Sequence, residues 1–291
     1  MKNLLLILLL LLTGEISAQQ TATIVVKTTP DNEIAYWPTG KDHLFFITLG
    51  TKAQADPQGQ FVHEFSVSRP TTIHVWAKGN NSFTLYLTPG SKDTIAVAKN
   101  TINFSGTNRV YNRCLKAVDD YQQYSDNLIY MQPHELEGVT SLEQYHQLAD
   151  ARMKQALDSV NASGLDKEFL AEQRAHIDYT HRSIFLHVAM YLVKNENFTE
   201  NWRKELAEII NQPVDSDYLR SYRGIGLFIN DLIGAQFIKL ENGKPEEIKD
   251  YCSFRFDRYR KFFKGDNLQY AQALLIYEDE FQTRNTPSIP Q

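Results

Sequence analysis

Two periods divide the chain. From Thr21 to about Gly106, apolar and polar positions alternate at period two, the pattern of half-buried strands. Ile24-Val25-Val26 is a β-branched run, Leu44–Leu49 predicts a second strand, and Phe61, Phe65 and Val67 share one side of a third. Ile73 and Val75 mark a fourth. Phe83, Leu85 and Leu87 alternate with Thr84, Tyr86 and Thr88, and Ile95 and Val97 continue past a turn. Turn residues punctuate the series at Pro30-Asp31-Asn32, Pro38-Thr39-Gly40, Gly79-Asn80-Asn81 and Pro89-Gly90. Short strands at this spacing predict a small antiparallel β-sandwich.

Beyond Gly106 the period becomes helical. Leu142, Tyr145, Ala149, Met153, Ala156 and Val160 keep one face, and Thr140-Ser141-Leu142-Glu143 reads as a capping box ahead of them. Leu170, Ile177, Ile184 and Tyr191 recur along the next helix. Asn197-Phe198-Thr199 separates it from a helix around Trp202 to Ile210, closed by Pro213. Tyr218–Leu240 and Pro245–Phe263 predict two more, the second opening on a tolerated first-turn proline, and a last helix spans about Leu268–Phe281. The pattern is α+β: an antiparallel β-sandwich domain over 19–106, an all-α helical domain over 107–284, and an extended tail over 285–291. The boundary falls at Phe104-Ser105-Gly106-Thr107.

The first segment reads as an address. Met1-Lys2-Asn3 is a basic start, Leu4–Leu12 is uninterruptedly apolar, and Ile16-Ser17-Ala18 precedes Gln19, the order of a cleaved secretory signal over 1–18. The apolar run is far short of the ~20 residues of a membrane span. Cleavage after Ala18 predicts a periplasmic or secreted protein with no membrane span, in an oxidising compartment. Composition, 42% hydrophobic and 22% charged, suits a globular fold. A net charge of -5 without a basic block points away from nucleic acid.

Candidate chemistry is sparse. Cys114 and Cys252, far apart in sequence, read either as buried thiols or as a structural disulfide; no CxxC pair occurs. His176, His181 and His187 miss the three- or four-residue spacing of a zinc-binding helix. His63 and His74 stand on consecutive strands, but the register that would pair them sends Phe65 and Ile73 to opposite faces, so a metal site there is disfavoured. His134-Glu135 lacks the second histidine of HExxH, and no G-x-S-x-G elbow occurs. Gly224-Ile225-Gly226 follows no strand and reads as helix packing. Asp119-Asp120 and Glu278-Asp279-Glu280 read as solvated helix faces. The aromatic and basic stretch Cys252–Lys264 reads as an amphipathic helix with its rings inward, or as a surface for an anionic or aromatic partner. Trp37, Trp76 and Tyr86 are core aromatics or a ligand-facing set that could stack a sugar. No catalytic residue, cofactor site or metal site is expected.

One stretch carries a family resemblance. Phe83-Thr84-Leu85-Tyr86-Leu87-Thr88-Pro89-Gly90 leads to Asp93-Thr94-Ile95, then Ile102-Asn103-Phe104-Ser105-Gly106-Thr107-Asn108, then Tyr111-Asn112. This resembles the N-terminal region of secreted TlpA-like, redoxin-type thiol–disulfide oxidoreductases of Gram-negative bacteria. There a strand ends in Pro-Gly, an aspartate and a hydroxyl residue follow, and a Phe-x-Gly element precedes the first helix. The resemblance covers the β module and, loosely, the helical module. It implies a thioredoxin fold with CxxC beginning about where Pro287-Ser288-Ile289-Pro290 stands. No such pair occurs in this chain, so no catalytic cysteine is carried over. The expectation is a non-catalytic accessory module serving a thioredoxin-like partner or a client protein. A stand-alone glycan- or peptide-binding module and a hydrolase with an unrecognised site are the alternatives.

Overall fold

The computed structural model describes residues 20–39, 50–79, 81–99, 101–131, 135, 138–192, 197–214, 217–221, 225, 228, 229, 232, 233 and 251–285. The expected signal segment over 1–18, the strand expected at Leu44–Leu49, His134, Gly224, Gly226, Pro245 and the tail beyond Asn285 lie outside them. Two compact units divide between Leu115 and Lys116.

The first unit holds eight strands: β1 (Gln20–Lys27), β2 (Glu33–Thr39), β3 (Thr51–Gln54), β4 (Gln60–Val67), β5 (Thr71–Ala77), β6 (Asn81–Leu87), β7 (Lys92–Ala98) and β8 (Thr101–Gly106). They form two four-stranded sheets, ordered β4-β1-β7-β8 and β3-β2-β5-β6. Alternation sends Ala22, Ile24 and Val26 of β1, Ile34 of β2, Ile73 and Val75 of β5, Phe83, Leu85 and Leu87 of β6, and Ile95 of β7 into one shared core. The sheets are mostly antiparallel, as the pattern predicts, but β1 and β7 pair in parallel. A parallel pair needs a long crossover; here the second sheet lies between β1 and β7 in sequence. Pro38, expected in a turn, stands within β2 opposite Ile73. β3 pairs only with Glu33–Tyr36, so at Pro38 the strand has one neighbour among the described residues, where a missing N–H is tolerated.

Helix α1 (Arg109–Asp126) leaves this unit and enters the second, ending in a π-helical turn at Asn127–Met131. Helices α2 (Leu142–Asn161), α3 (Lys167–Leu192), α4 (Glu200–Asn211), α5 (Tyr251–Phe262) and α6 (Gly265–Asn285) follow. The capping box sits one position later than the sequence suggests: Ser141 is the N-cap, and Gln144 returns its side chain to the Ser141 N–H. In α2, Tyr145, Ala149, Ala156 and Val160 are buried, the predicted face. α3 is buried well beyond its Leu170, Ile177, Ile184 seam, adding Phe185, Leu186, Val188 and Ala189, because α2 and α4 both pack on it. Tyr145, Phe185 and Trp202 meet edge-on or tilted at 5.1–5.9 Å in this core. Buried Arg182 donates from Nη2 at 3.2 Å to the Ile209 carbonyl in the last turn of α4, which also accepts from the Gln212 N–H at 3.3 Å. No helix among the described residues is long and apolar enough to cross a membrane.

Candidate functional site

In the β unit, the face of the second sheet turned away from the core collects the three sequence-predicted aromatics. Strand alternation places Ala35, Trp37 and Thr39 of β2, Thr72, His74 and Trp76 of β5, and Ser82, Thr84 and Tyr86 of β6 on that face. The register aligns Trp37 with His74 and Thr84, Trp76 with Ala35 and Ser82, and Tyr86 with Thr72. Trp37 and Trp76 are half-buried, while His74 is only 2% exposed. The His74 ring packs 4.8 Å from the Trp37 ring, with Nδ1 3.2 Å from the Thr84 hydroxyl and Nε2 against the Ser82 hydroxyl. Hydroxyls both donate and accept, so the ring is satisfied whichever nitrogen carries the hydrogen.

Tyr86 has a different task. Its ring stacks on Tyr111 of α1 at 4.4 Å and 13°, and its N–H donates to the Asn112 side chain at 2.7 Å. It belongs to the junction between sheet and helix. Thr88, Asp93, Gly106 and Asn108 of the motif build the same junction. The Asp93 carboxylate, 2% exposed, accepts from the Asn108 N–H at 2.7 Å and from the Asn108 amide at 2.9 Å. The Thr88 hydroxyl donates to the Asn108 Oδ1 at 3.2 Å, and the Ser91 N–H closes the Pro89-Gly90 turn onto the Thr88 carbonyl. Gly106 has φ +109°, and a Cβ there would collide with the Lys92 carbonyl. Burial pushes the Asp93 carboxyl up, against the hydrogen bonds from Asn108 and Ser91 that pull it down. The arrangement locks α1 to the β7–β8 hairpin and leaves Asp93 no open side for a substrate.

His63 and His74 are not brought together, because β4 and β5, consecutive in sequence, belong to different sheets. His63 turns toward the core among Tyr36, Phe61 and Phe65, with Nε2 3.0 Å from the Tyr36 hydroxyl. Burial lowers its pKa.

The helical unit assembles a second polar cluster, which the sequence reading did not anticipate. His181 of α3 meets the Tyr121 hydroxyl at 3.0 Å through Nδ1. Its Nε2 lies 3.3 Å from the Tyr145 hydroxyl and 3.5 Å from Asp150 Oδ1. His146 of α2 lies between Asp150 Oδ2, 2.9 Å from its Nδ1, and Glu205 Oε1 of α4, 3.4 Å from its Nε2. Burial lowers the His181 pKa, opposed by Asp150 and reinforced by His146, and burial drives the Tyr145 hydroxyl well above its ordinary value. The His146/Asp150 spacing of four was the legible signal; Glu205 and His181 come from other helices. Both His146 nitrogens and His181 Nε2 each face one carboxylate, while His181 Nδ1 faces a tyrosine hydroxyl, and among the described residues no group of three ligands could hold a metal.

One carboxylate–histidine–serine set also occurs. His176 Nε2 lies 3.1 Å from the Ser221 hydroxyl and 3.8 Å from Glu172. Both partners approach the same nitrogen, and the Ser221 hydroxyl donates to the Tyr218 carbonyl at 2.9 Å. A nucleophile relay needs the carboxylate on the opposite nitrogen and the serine proton directed at the histidine. Cys114 is buried at 3% exposure; the Cys252 side chain lies outside the described residues. In the aromatic–basic stretch, Tyr259 and Phe263 are buried, and Arg255 is buried with its Nη2 donating to the Tyr259 hydroxyl at 2.8 Å. Asp120 pairs with Lys116 on an exposed helix face. No protein-family model matches the chain, and no curated protein matches it.

Proposed function

We propose that this chain is a non-catalytic, exported interaction module, akin to the N-terminal region of TlpA-like, redoxin-type oxidoreductases, and that it engages its partner through the outer face of the second sheet. The single observation that carries the reading is Trp37, His74 and Trp76 side by side on that face, with the Thr72, Ser82 and Thr84 side chains around them. Half-buried indoles supply large rigid contact area at little entropic cost. The buried Asp93–Asn108 junction supports the kinship, since Thr88, Asp93 and Asn108 of the shared motif act in joining sheet to helix. The leader-like start at residues 1–18 supports export. The partner in this reading is a thioredoxin-like protein or its unfolded client.

The test is calorimetric titration of the purified protein with an exported thioredoxin-fold oxidoreductase and with a reduced, unfolded client chain. Binding that weakens at least tenfold in a Trp37→Ala/Trp76→Ala variant supports the proposal, and disulfide reduction of insulin by the purified protein alone contradicts it. A second reading, glycan binding, is favoured by the hydroxyl side chains beside the two indoles. It predicts a tryptophan fluorescence change with soluble oligosaccharides that the same variant loses, and silence with both proteins.

A further inference from the structure

His146 stands between two carboxylates, to both of which a neutral imidazole cannot donate. Its Nδ1 is 2.9 Å from the Asp150 carboxylate of its own helix, and its Nε2 is 3.4 Å from the Glu205 carboxylate of α4. An ionised carboxylate only accepts hydrogen bonds, and a neutral imidazole has one N–H. With that hydrogen on Nδ1, the Nε2 lone pair faces the Glu205 oxygen, acceptor against acceptor. Only the imidazolium, with an N–H on each nitrogen, meets both carboxylates at once. His146 is 40% exposed, so solvent protons reach it.

We propose that Glu205–His146–Asp150 is a proton-operated strap that ties α4 to α2 when His146 is protonated and releases that tie when it is neutral. The groups facing His146 are Asp150 on α2, Glu205 on α4 and, across Asp150, His181 on α3 with the Tyr121 and Tyr145 hydroxyls behind it. His181 does not compete for the proton. Its Nδ1 and Nε2 both reach tyrosine hydroxyls, which accept or donate as required, so it is satisfied uncharged. Burial and the His146 charge favour that state. The one proton of the pair therefore sits on the outer ring, where it links two helices, and the Asp150 carboxylate is shared between a charged and an uncharged histidine.

The test is backbone hydrogen exchange along Glu200–Asn211 at pH 5.5 and pH 8, corrected for the intrinsic pH dependence of exchange. In the unaltered protein, the corrected exchange of α4 amides is expected to be about two- to fivefold slower at the lower pH, the range of a partly exposed ion pair. His146→Gln and Glu205→Gln, both at partly exposed side chains, are each expected to abolish that contrast. Added salt is expected to reduce it. A contrast that survives in His146→Gln, or its absence from the unaltered protein, overturns the proposal.

Discussion

His74 of the β unit and His146 of the helical unit hold both ring nitrogens against polar partners, yet they are opposite devices. His74 is buried between Ser82 and Thr84, whose hydroxyls adjust to either tautomer, and it has no need of charge. His146 lies between Asp150 and Glu205, which only accept, and it satisfies both only as a cation. The lesson is that donor–acceptor type, more than burial or distance, decides whether a histidine is a structural post or a titrating tie. The same rule separates His181, held by two tyrosine hydroxyls, from His146 one helix away.

The comparison can be broken most forcefully from beneath the helical cluster. Trp202 is fully buried and packs against Tyr145 and Phe185, so Trp202→Ala is expected to cost about 3–5 kcal/mol. Urea unfolding followed by tyrosine fluorescence measures the loss; a change under 1 kcal/mol would mean that the Tyr145–His181 floor does not depend on it. In the β unit, Asp93→Ala leaves the buried Asn108 N–H and amide without their acceptor and is expected to cost about 1–3 kcal/mol. Its thermal midpoint should fall while the far-ultraviolet spectrum below the transition is retained.

Acidification sharpens the contrast. His63, His176 and His181 all have pKa values lowered by burial, so each binds its proton more weakly folded than unfolded. Their contribution to stability is complete above the ordinary histidine value near 6.5 and is lost as pH falls through that value toward the lowered folded ones. The thermal midpoint should therefore drop between pH 7.5 and 5.5, even as the His146 strap tightens locally. A midpoint that rises over that interval would show that the strap outweighs the three buried rings. The smallest effect is expected at the entrance to α2: Ser141→Ala removes the hydroxyl that accepts the Gln144 N–H and should cost about 1 kcal/mol, read as a shift in the urea midpoint.

Much of the fold was legible because local periodicity reports burial directly. Phe83, Leu85 and Leu87 point inward, and Tyr145, Ala149, Ala156 and Val160 line a buried helix face, as their spacing predicts. The gathering of Trp37, Trp76 and Tyr86 on one face follows from alternation once the register is known, whereas the capture of Tyr86 by Tyr111 does not. Asp93 entered the reading only as part of a family motif, since a single aspartate carries no periodic signal; its partner Asn108 lies fifteen positions away.

The amino-acid sequence by itself determined the two-part α+β order, the inward and outward faces of most described strands, and the course of α2, α3 and α4, because these depend on side-chain spacing within a few residues. The tertiary structure alone decided which sheet each strand joins, that β1 and β7 run parallel, and that Glu205 reaches His146 while His181 reaches Asp150. Those outcomes depend on contacts between residues far apart in the chain. Such contacts are selected by packing the whole core at once, and no local pattern encodes them.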